Sequence, residues 1–138
     1  MLRCKIMHIV RGWRMRETVK AFKVLSDETR LRILRLLLER ECCVCEVMQA
    51  LEISQSKASR GLTALYDAGF LKMEKDGLWS FYSIDKEGMK DYMSLLVEAV
   101  TRGLQNNRVA EEDHERLRKA ARVGPSCAEK IRTKNRGR

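Results

Sequence analysis

The run Glu41-Cys42-Cys43-Val44-Cys45-Glu46 puts three thiols within four positions. Thiolates are soft donors that favour thiophilic ions over hard ones. Cys43 and Cys45 form a Cys-x-Cys pair, a spacing with no easy intrachain disulfide and not the Cys-x-x-Cys of redox enzymes. Cysteines also serve as small core hydrophobes, but three in a cluster read better as a soft-metal or metalloid ligand set. The run lies at the start of a short apolar segment with helical spacing. A helix N-terminus lowers a thiol's pKa, so these cysteines are expected to be partly ionised. Positions i and i+2 of a regular helix point to nearly opposite sides. Gathering Cys43 and Cys45 on one ion would therefore distort the start of that helix.

The elements that must position the thiols follow from periodicity. Residues 17–25 put Thr18, Phe22 and Leu25 at helical spacing, and Ser26 or Asp27 offers an N-cap. A second helix carries Leu31, Leu34, Leu37 and Leu38 on one face, broadened by Ile33 and Leu36, and stops near Glu41. A third runs from about Cys45 to Leu51 with Val47, Met48 and Leu51 inward. After Glu52-Ile53, Ser54 caps a fourth helix from Gln55 to about Ala68, with Ala58, Leu62 and Leu65 buried and Gly69 closing it. The period then changes. Residues 70–75 and 78–84 read as strands about Asp76-Gly77, a strong hairpin signal. A long helix over 87–105 carries Met89, Tyr92, Met93, Leu96, Val100 and Leu104 in a stripe. Residues 108–122 are helical but more charged, and Gly124-Pro125 ends the order.

The chain of 138 residues, 44% apolar and 34% charged, supports one domain with an ordinary core. No apolar run approaches the roughly 18 residues of a membrane span, and Ile6–Val10 is too short for a signal-peptide core. The chain therefore reads as cytoplasmic, with its five cysteines as reduced thiols. The net charge of +9 comes from the ends. Arg3, Lys5, Arg11, Arg14 and Arg16 stand in residues 1–16 with no acid. Lys130, Arg132, Lys134, Arg136 and Arg138 stand in residues 123–138 against Glu129 alone. Residues 17–122 are balanced. Basic tails suit a polyanion but also occur as solvated ends, so the case for nucleic acid must come from the neutral middle.

Helix, helix, short helix, turn, helix, hairpin, helix is the order of a winged helix-turn-helix, a mostly α fold with a two-stranded β-hairpin. The outward face of the fourth helix carries Gln55, Ser56, Lys57, Ser59, Arg60 and Thr63, with no acid before Asp67. Arg bonds guanine bidentately, Gln pairs with adenine, and Ser or Thr reaches base or phosphate. Ser54 and the helix N-terminus can hold a phosphate, and Lys72 and Lys75 flank the hairpin turn where backbone phosphates would lie. These nine residues are the candidate interface with double-stranded operator DNA.

Taken together, residues 17–84 resemble the arsenic repressor family of bacterial and archaeal metal sensors (ArsR/SmtB type). The resemblance rests on Phe22–Leu34, on Glu41–Val47, on Ser54-Gln55-Ser56-Lys57-Ala58-Ser59-Arg60-Gly61-Leu62 and on the wing Asp76–Tyr82. It implies a homodimeric repressor, paired through residues 17–25 and 87–105 of each copy. Two reading helices would then enter successive major grooves of a near-palindromic operator. Domain organisation follows: 17–105 as the DNA-binding and dimerisation domain, and 106–138 as a charged helix with a basic, flexible tail. Residues 1–16 form a basic extension. Met15 stands near where family members commonly begin, so the residues before it read as a misassigned start.

In this family a Cys-Val-Cys run marks sensors of arsenite, antimonite, cadmium or lead, and the matching positions are Cys43 and Cys45. The resemblance implies arsenite or antimonite as inducer, with cadmium or lead as the alternative and no organic cofactor. Trivalent arsenic prefers three sulfurs. The family's best-known arsenic pattern has a further Cys at the position held here by Met48, so the third donor is open among Cys42, Cys127 and Cys4. The zinc- and nickel-sensing branches place Asp and His on the last core helix. Here His8 and His114 both lie outside 17–105, which argues against such a site. A thiol redox or persulfide sensor of the same fold is the main rival, with Cys127 as a partner for one of the trio. An enzyme is disfavoured by the absence of Cys-x-x-Cys, of a βαβ pattern and of a Gly-rich phosphate loop. A winged helix serving protein contacts alone would not need Lys57 and Arg60 on an acid-free face.

Overall fold

The computed structural model describes residues 15–122. Within them the order is helix α1 (15–25), α2 (Glu28–Leu37), β1 (Cys42–Cys43), α3 (Val44–Leu51), α4 (Gln55–Asp67), β2 (Leu71–Asp76), β3 (Trp79–Ile84), α5 (Asp91–Gly103) and α6 (Arg108–Lys119). The core is built from α2, which buries Ile33, Leu34, Leu36 and Leu37, from α3 and α4, and from Phe70, Leu71 and Ile84 at the base of the hairpin. Each buried aliphatic side chain stabilises the fold by about 1.5–3 kcal/mol.

Local chemistry sets the helix ends. Asp27 caps α2 by accepting from Arg30 N at 3.0 Å, and Ser54 caps α4 by accepting from Lys57 N at 3.2 Å. The turn from α3 to α4 is tight: Glu52 takes a left-handed conformation (φ 57°) more usual for glycine. Gly61 lets α4 lie against α2, since a Cβ there would stand 2.5 Å from Ile33 Cδ1. Gly69 (φ 93°) ends α4, and Gly77 (φ 61°) opens the wing turn.

Three features differ from the sequence reading. The hairpin gains a third strand: β1 pairs antiparallel with β3, Cys42 with Tyr82 and Cys43 with Phe81, giving the order β1-β3-β2. A two-residue strand has no pattern of its own, and its partner decides it. Helix α3 begins at Val44, with Cys43 as N-cap, one residue earlier than the start at Cys45 that the sequence suggested. The long helix begins at Asp91, not Glu87, because the Asp85 carboxylate accepts from Gly88 N at 3.0 Å and holds 86–88 in a turn. The extension over residues 1–14, the tail over 123–138, Cys4 and Cys127 lie outside the described residues.

Candidate functional site: a thiol cluster and an exposed polar helix face

The sheet separates the cysteines that are adjacent in sequence. Successive strand residues face opposite sides. Cys42 turns inward, fully buried in the main core with Tyr82 packed on that core, and its Sγ lies 3.5 Å from Arg40 O. Cys43 turns outward, where it and Cys45 form a separate cluster covered by Trp79 and Phe81. The two aromatic rings are stacked, with centroids 5.9 Å apart. The structure thus brings Cys43 and Cys45 together and sends Cys42 elsewhere. Among the described residues no group of three or more His, Cys, Asp or Glu side chains is arranged to hold an ion. Cys42 and Cys43 are free thiols, whereas Cys45 is disulfide-bonded. The expectation of reduced thiols is corrected at Cys45: the structure presents its oxidised form, which a thiophilic ion can use only after reduction.

Glu46 organises the cluster. Its carboxylate is 1% exposed, accepts from Cys43 N at 3.1 Å and from Arg122 Nε at 3.0 Å, and pairs with Arg40 at 2.5 Å. With the Glu46 N–H directed at the Cys43 sulfur this is a capping box, a thiol standing where a hydroxyl is usual. Burial pushes the Glu46 carboxyl up, but the Cys43 N–H and the two guanidinium groups outweigh it and hold the pKa below the ordinary value. The thiols respond in the opposite sense. Burial pushes Cys42 up to about 12, and burial, opposed by the Glu46 N–H but aided by the Glu46 charge, raises Cys43. The expected partial ionisation is thereby corrected at Cys43. Desolvation and a neighbouring carboxylate outweigh the helix N-terminus.

Helix α6 clamps α3 from behind. Asp113, 1% exposed, takes both arms of Arg32 (2.8 and 2.7 Å) and Arg116 (2.7 Å). Arg116 Nε donates to Ala50 O at 2.6 Å, and Arg40 Nη2 to Leu117 O at 3.3 Å. The Gln49 amide donates to Ala121 O at 2.9 Å and accepts from Ala121 N at 3.2 Å. Arg122 then lies 4.6 Å over the Phe81 ring. Asp113, Gln49 and Arg122 were missed in the sequence because their partners lie far along the chain.

The polar face of α4 is open. On α4, Gln55, Ser56, Lys57, Arg60 and Thr63 are exposed and Ser59 is half-buried, opposite buried Ala58, Gly61, Leu62 and Leu65. Ser54 is exposed, but its hydroxyl already caps the helix. Lys72 and Lys75 are exposed on β2. All nine residues therefore lie on α4, its cap or the wing.

A sequence profile of the family described as "Bacterial regulatory protein, arsR family" matches residues 27–72, which span β1, α3 and α4. Over 81 residues the chain is 36% identical to the arsenical resistance operon repressor of Bacillus subtilis, covering 58% of this chain and 77% of that one. The chain belongs to the arsR family of bacterial regulatory proteins. It is also 44% identical over 80 residues to the arsenic resistance transcriptional regulator ArsR1 of Pseudomonas putida, covering 55% of this chain and 62% of that one. It is 43% identical over 75 residues to a cadmium resistance regulatory protein CadC homolog of Staphylococcus aureus, covering 54% and 62%. The chain thus spans less than two thirds of the length of those two regulators. Among solved structures, HlyU of Vibrio cholerae superposes with a TM-score of 0.57 at 28% identity, covering 67% of this chain and 97% of that one. A homodimeric winged helix-turn-helix domain of Mycobacterium bovis superposes at 0.58 with 22% identity, covering 71% and 87%, and shares the fold. Among the described residues no helix is long and apolar enough to cross a membrane.

Proposed function

We propose that this chain is a transcriptional repressor, acting in the cytoplasm as a homodimer on operator DNA. It lets go when a thiophilic ion, arsenite or antimonite first and cadmium or lead second, binds Cys43 and Cys45 in the reduced protein. The observation that carries this reading is the meeting of Cys43 and Cys45 in one cluster at the N-terminus of α3, the helix that turns directly into α4. Similarity to arsenic and cadmium resistance regulators supports the choice of ions. The third sulfur on a trivalent ion would come from Cys127 or Cys4. Cys42 is a poor candidate because it faces the core.

The dimer reading is supported by an exposed apolar stripe. Met15, Val19 and Phe22 are exposed at positions i, i+4 and i+7 of α1, and Leu95 is exposed on α5. The two helices meet in this protomer through Lys90 and Glu17. On the proposed DNA face, Lys57 and Arg60 are exposed on α4, which carries no acid before Asp67.

Fluorescence anisotropy tests the reading. The probe is the promoter DNA directly upstream of the protein's own coding region, with protein kept reduced. Arsenite, antimonite, cadmium, lead and zinc are titrated against wild type and Cys43→Ser. Release by an ion in the wild type and none in Cys43→Ser is expected. Tight binding that no ion relieves would overturn the metal switch. Arg60→Ala is expected to weaken operator binding by about 1–3 kcal/mol. The disulfide at Cys45 favours a second reading, a thiol redox regulator. There, oxidised and reduced protein would differ in operator affinity with no ion present.

A further inference from the structure

The last turn of an α-helix leaves carbonyls without an intrahelical donor, and cations are favoured at that end. On α3 this is the end from which the chain turns, through Glu52, Ile53 and Ser54, into α4. Met48 O is taken up inside the turn, by the Glu52 and Ile53 N–H groups. Two of the carbonyls that follow are answered from other helices. Arg116 of α6 donates from Nε to Ala50 O at 2.6 Å, and Arg32 of α2 donates from Nη2 to Leu51 O at 3.4 Å. One carboxylate holds both guanidinium groups. Asp113 accepts from Arg32 Nε and Nη2 at 2.8 and 2.7 Å and from Arg116 Nη2 at 2.7 Å. It is 1% exposed, and a buried charge is tolerated only when it is paired in this way. The segment 27–72 that carries the family match contains Arg32, Ala50 and Leu51, but neither Asp113 nor Arg116. Helix α6 therefore supplies half of a node that sits where α3 turns into α4.

We propose that Asp113 is a positioning residue for operator binding. Through Arg32 and Arg116 it fixes the end of α3, and with it the direction in which α4 presents Gln55, Lys57 and Arg60. This rests on the DNA-binding reading above and is independent of the ion switch. The physical reason lies in the two kinds of DNA contact. Hydrogen bonds to base edges are directional, so a small tilt of α4 loses them. Attraction to phosphates is long-ranged and survives the same tilt. The turn itself needs outside support, because Glu52 holds a left-handed conformation (φ 57°) without being a glycine.

The full chain, kept reduced, is titrated by fluorescence anisotropy against the promoter duplex directly upstream of its own coding region and against a shuffled duplex of the same composition. The quantity read is the ratio of the two affinities, at a temperature where circular dichroism shows the variant folded. Loss of folded protein lowers both affinities together and leaves the ratio unchanged. Asp113→Asn is expected to cut the ratio about tenfold, the scale of one lost base contact, while affinity for the shuffled duplex does not fall. Arg116→Gln removes the donor to Ala50 O from a side chain that is partly exposed, and is expected to cut the ratio as well. It decides the matter alone if Asp113→Asn does not fold. Arg118→Gln makes the same change of charge on the same helix, where the side chain pairs with Glu115, and should keep the wild-type ratio. In the double variant Asp113→Asn/Arg116→Gln the loss should be smaller than the product of the single losses, because both act at one node. A wild-type ratio in either folded single variant overturns the positioning role, as does an equal loss in Arg118→Gln. A wild-type chain that binds both duplexes alike overturns the DNA-binding reading itself, a result distinct from the other two.

Discussion

The inner face of the three-stranded sheet carries Cys42, Leu71, Tyr82 and Ile84 against the main core. Its outer face carries Cys43, with Trp79 and Phe81 packed over it and over Cys45. Cys42 and Cys43 are covalent neighbours with the same functional group, yet they have different tasks. Cys42 is a small apolar core residue whose thiol is strongly disfavoured from ionising. Cys43 ends a strand and caps a helix, under an aromatic cover and beside a salt-bridged carboxylate. A cysteine's role here depends on the side of the pleat it occupies.

The sharpest way to break this comparison is to exchange the thiols one at a time. Cys43→Ser is expected to abolish ion-driven release, collapsing a coupling of about 5–150-fold to none, whereas Cys42→Ser should retain release. Operator anisotropy with and without arsenite reads both. If Cys42→Ser abolished release as completely, the two faces would not be functionally distinct. The next effect is on stability. Cys42→Ser places a hydroxyl among apolar neighbours and should cost about 1–3 kcal/mol in urea unfolding, toward the lower end because Arg40 O remains to accept its proton.

Alkaline pH sharpens the same contrast. The Cys42 thiol stays protonated in the folded state up to about 12, while in the unfolded chain it ionises near its ordinary value. Its contribution to stability is therefore fully present below about pH 8.5 and is lost as pH rises toward 12, with a slope of up to about 1.4 kcal/mol per pH unit. Cys42→Ala should flatten that limb in unfolding measured between pH 8 and 11. Cys43 is also raised, so ion affinity at the outer site should grow over the same rise in pH, because the bound form is the thiolate.

The smallest expected effect is at Glu46. Glu46→Gln weakens its bonds with Arg40 and Arg122, both partly exposed, and should cost about 1 kcal/mol. The depressed carboxyl contributes stability that is present above the ordinary carboxylate range and lost as pH falls through its folded value. The variant should remove that acid dependence in thermal unfolding. An unchanged acid limb would show that Glu46 does not tie α3 to Arg122.

Much of this was legible along the chain because it is local. Ser54 as a cap, Ala58, Leu62 and Leu65 as the buried face of α4, and Gly69 as its end follow from spacing and backbone preference. The open face with Lys57 and Arg60 is their complement. The site was harder to read. The Cys-Val-Cys run was visible, but its ionisation was misjudged, because desolvation and the Glu46 charge are set by packing, not by position at a helix start. The third strand, the oxidised Cys45 and the Asp113 clamp all need partners that local periodicity does not reveal.

The amino-acid order by itself determined the helices, the wing and the exposed polar face of α4, since each follows from side-chain period and capping within a few residues. Only the tertiary structure decided which thiols meet, which one is buried in the core and which aromatic rings cover the site. Those choices depend on strand pairing and on burial between segments some forty residues apart, where free energy comes from contacts that no local pattern encodes.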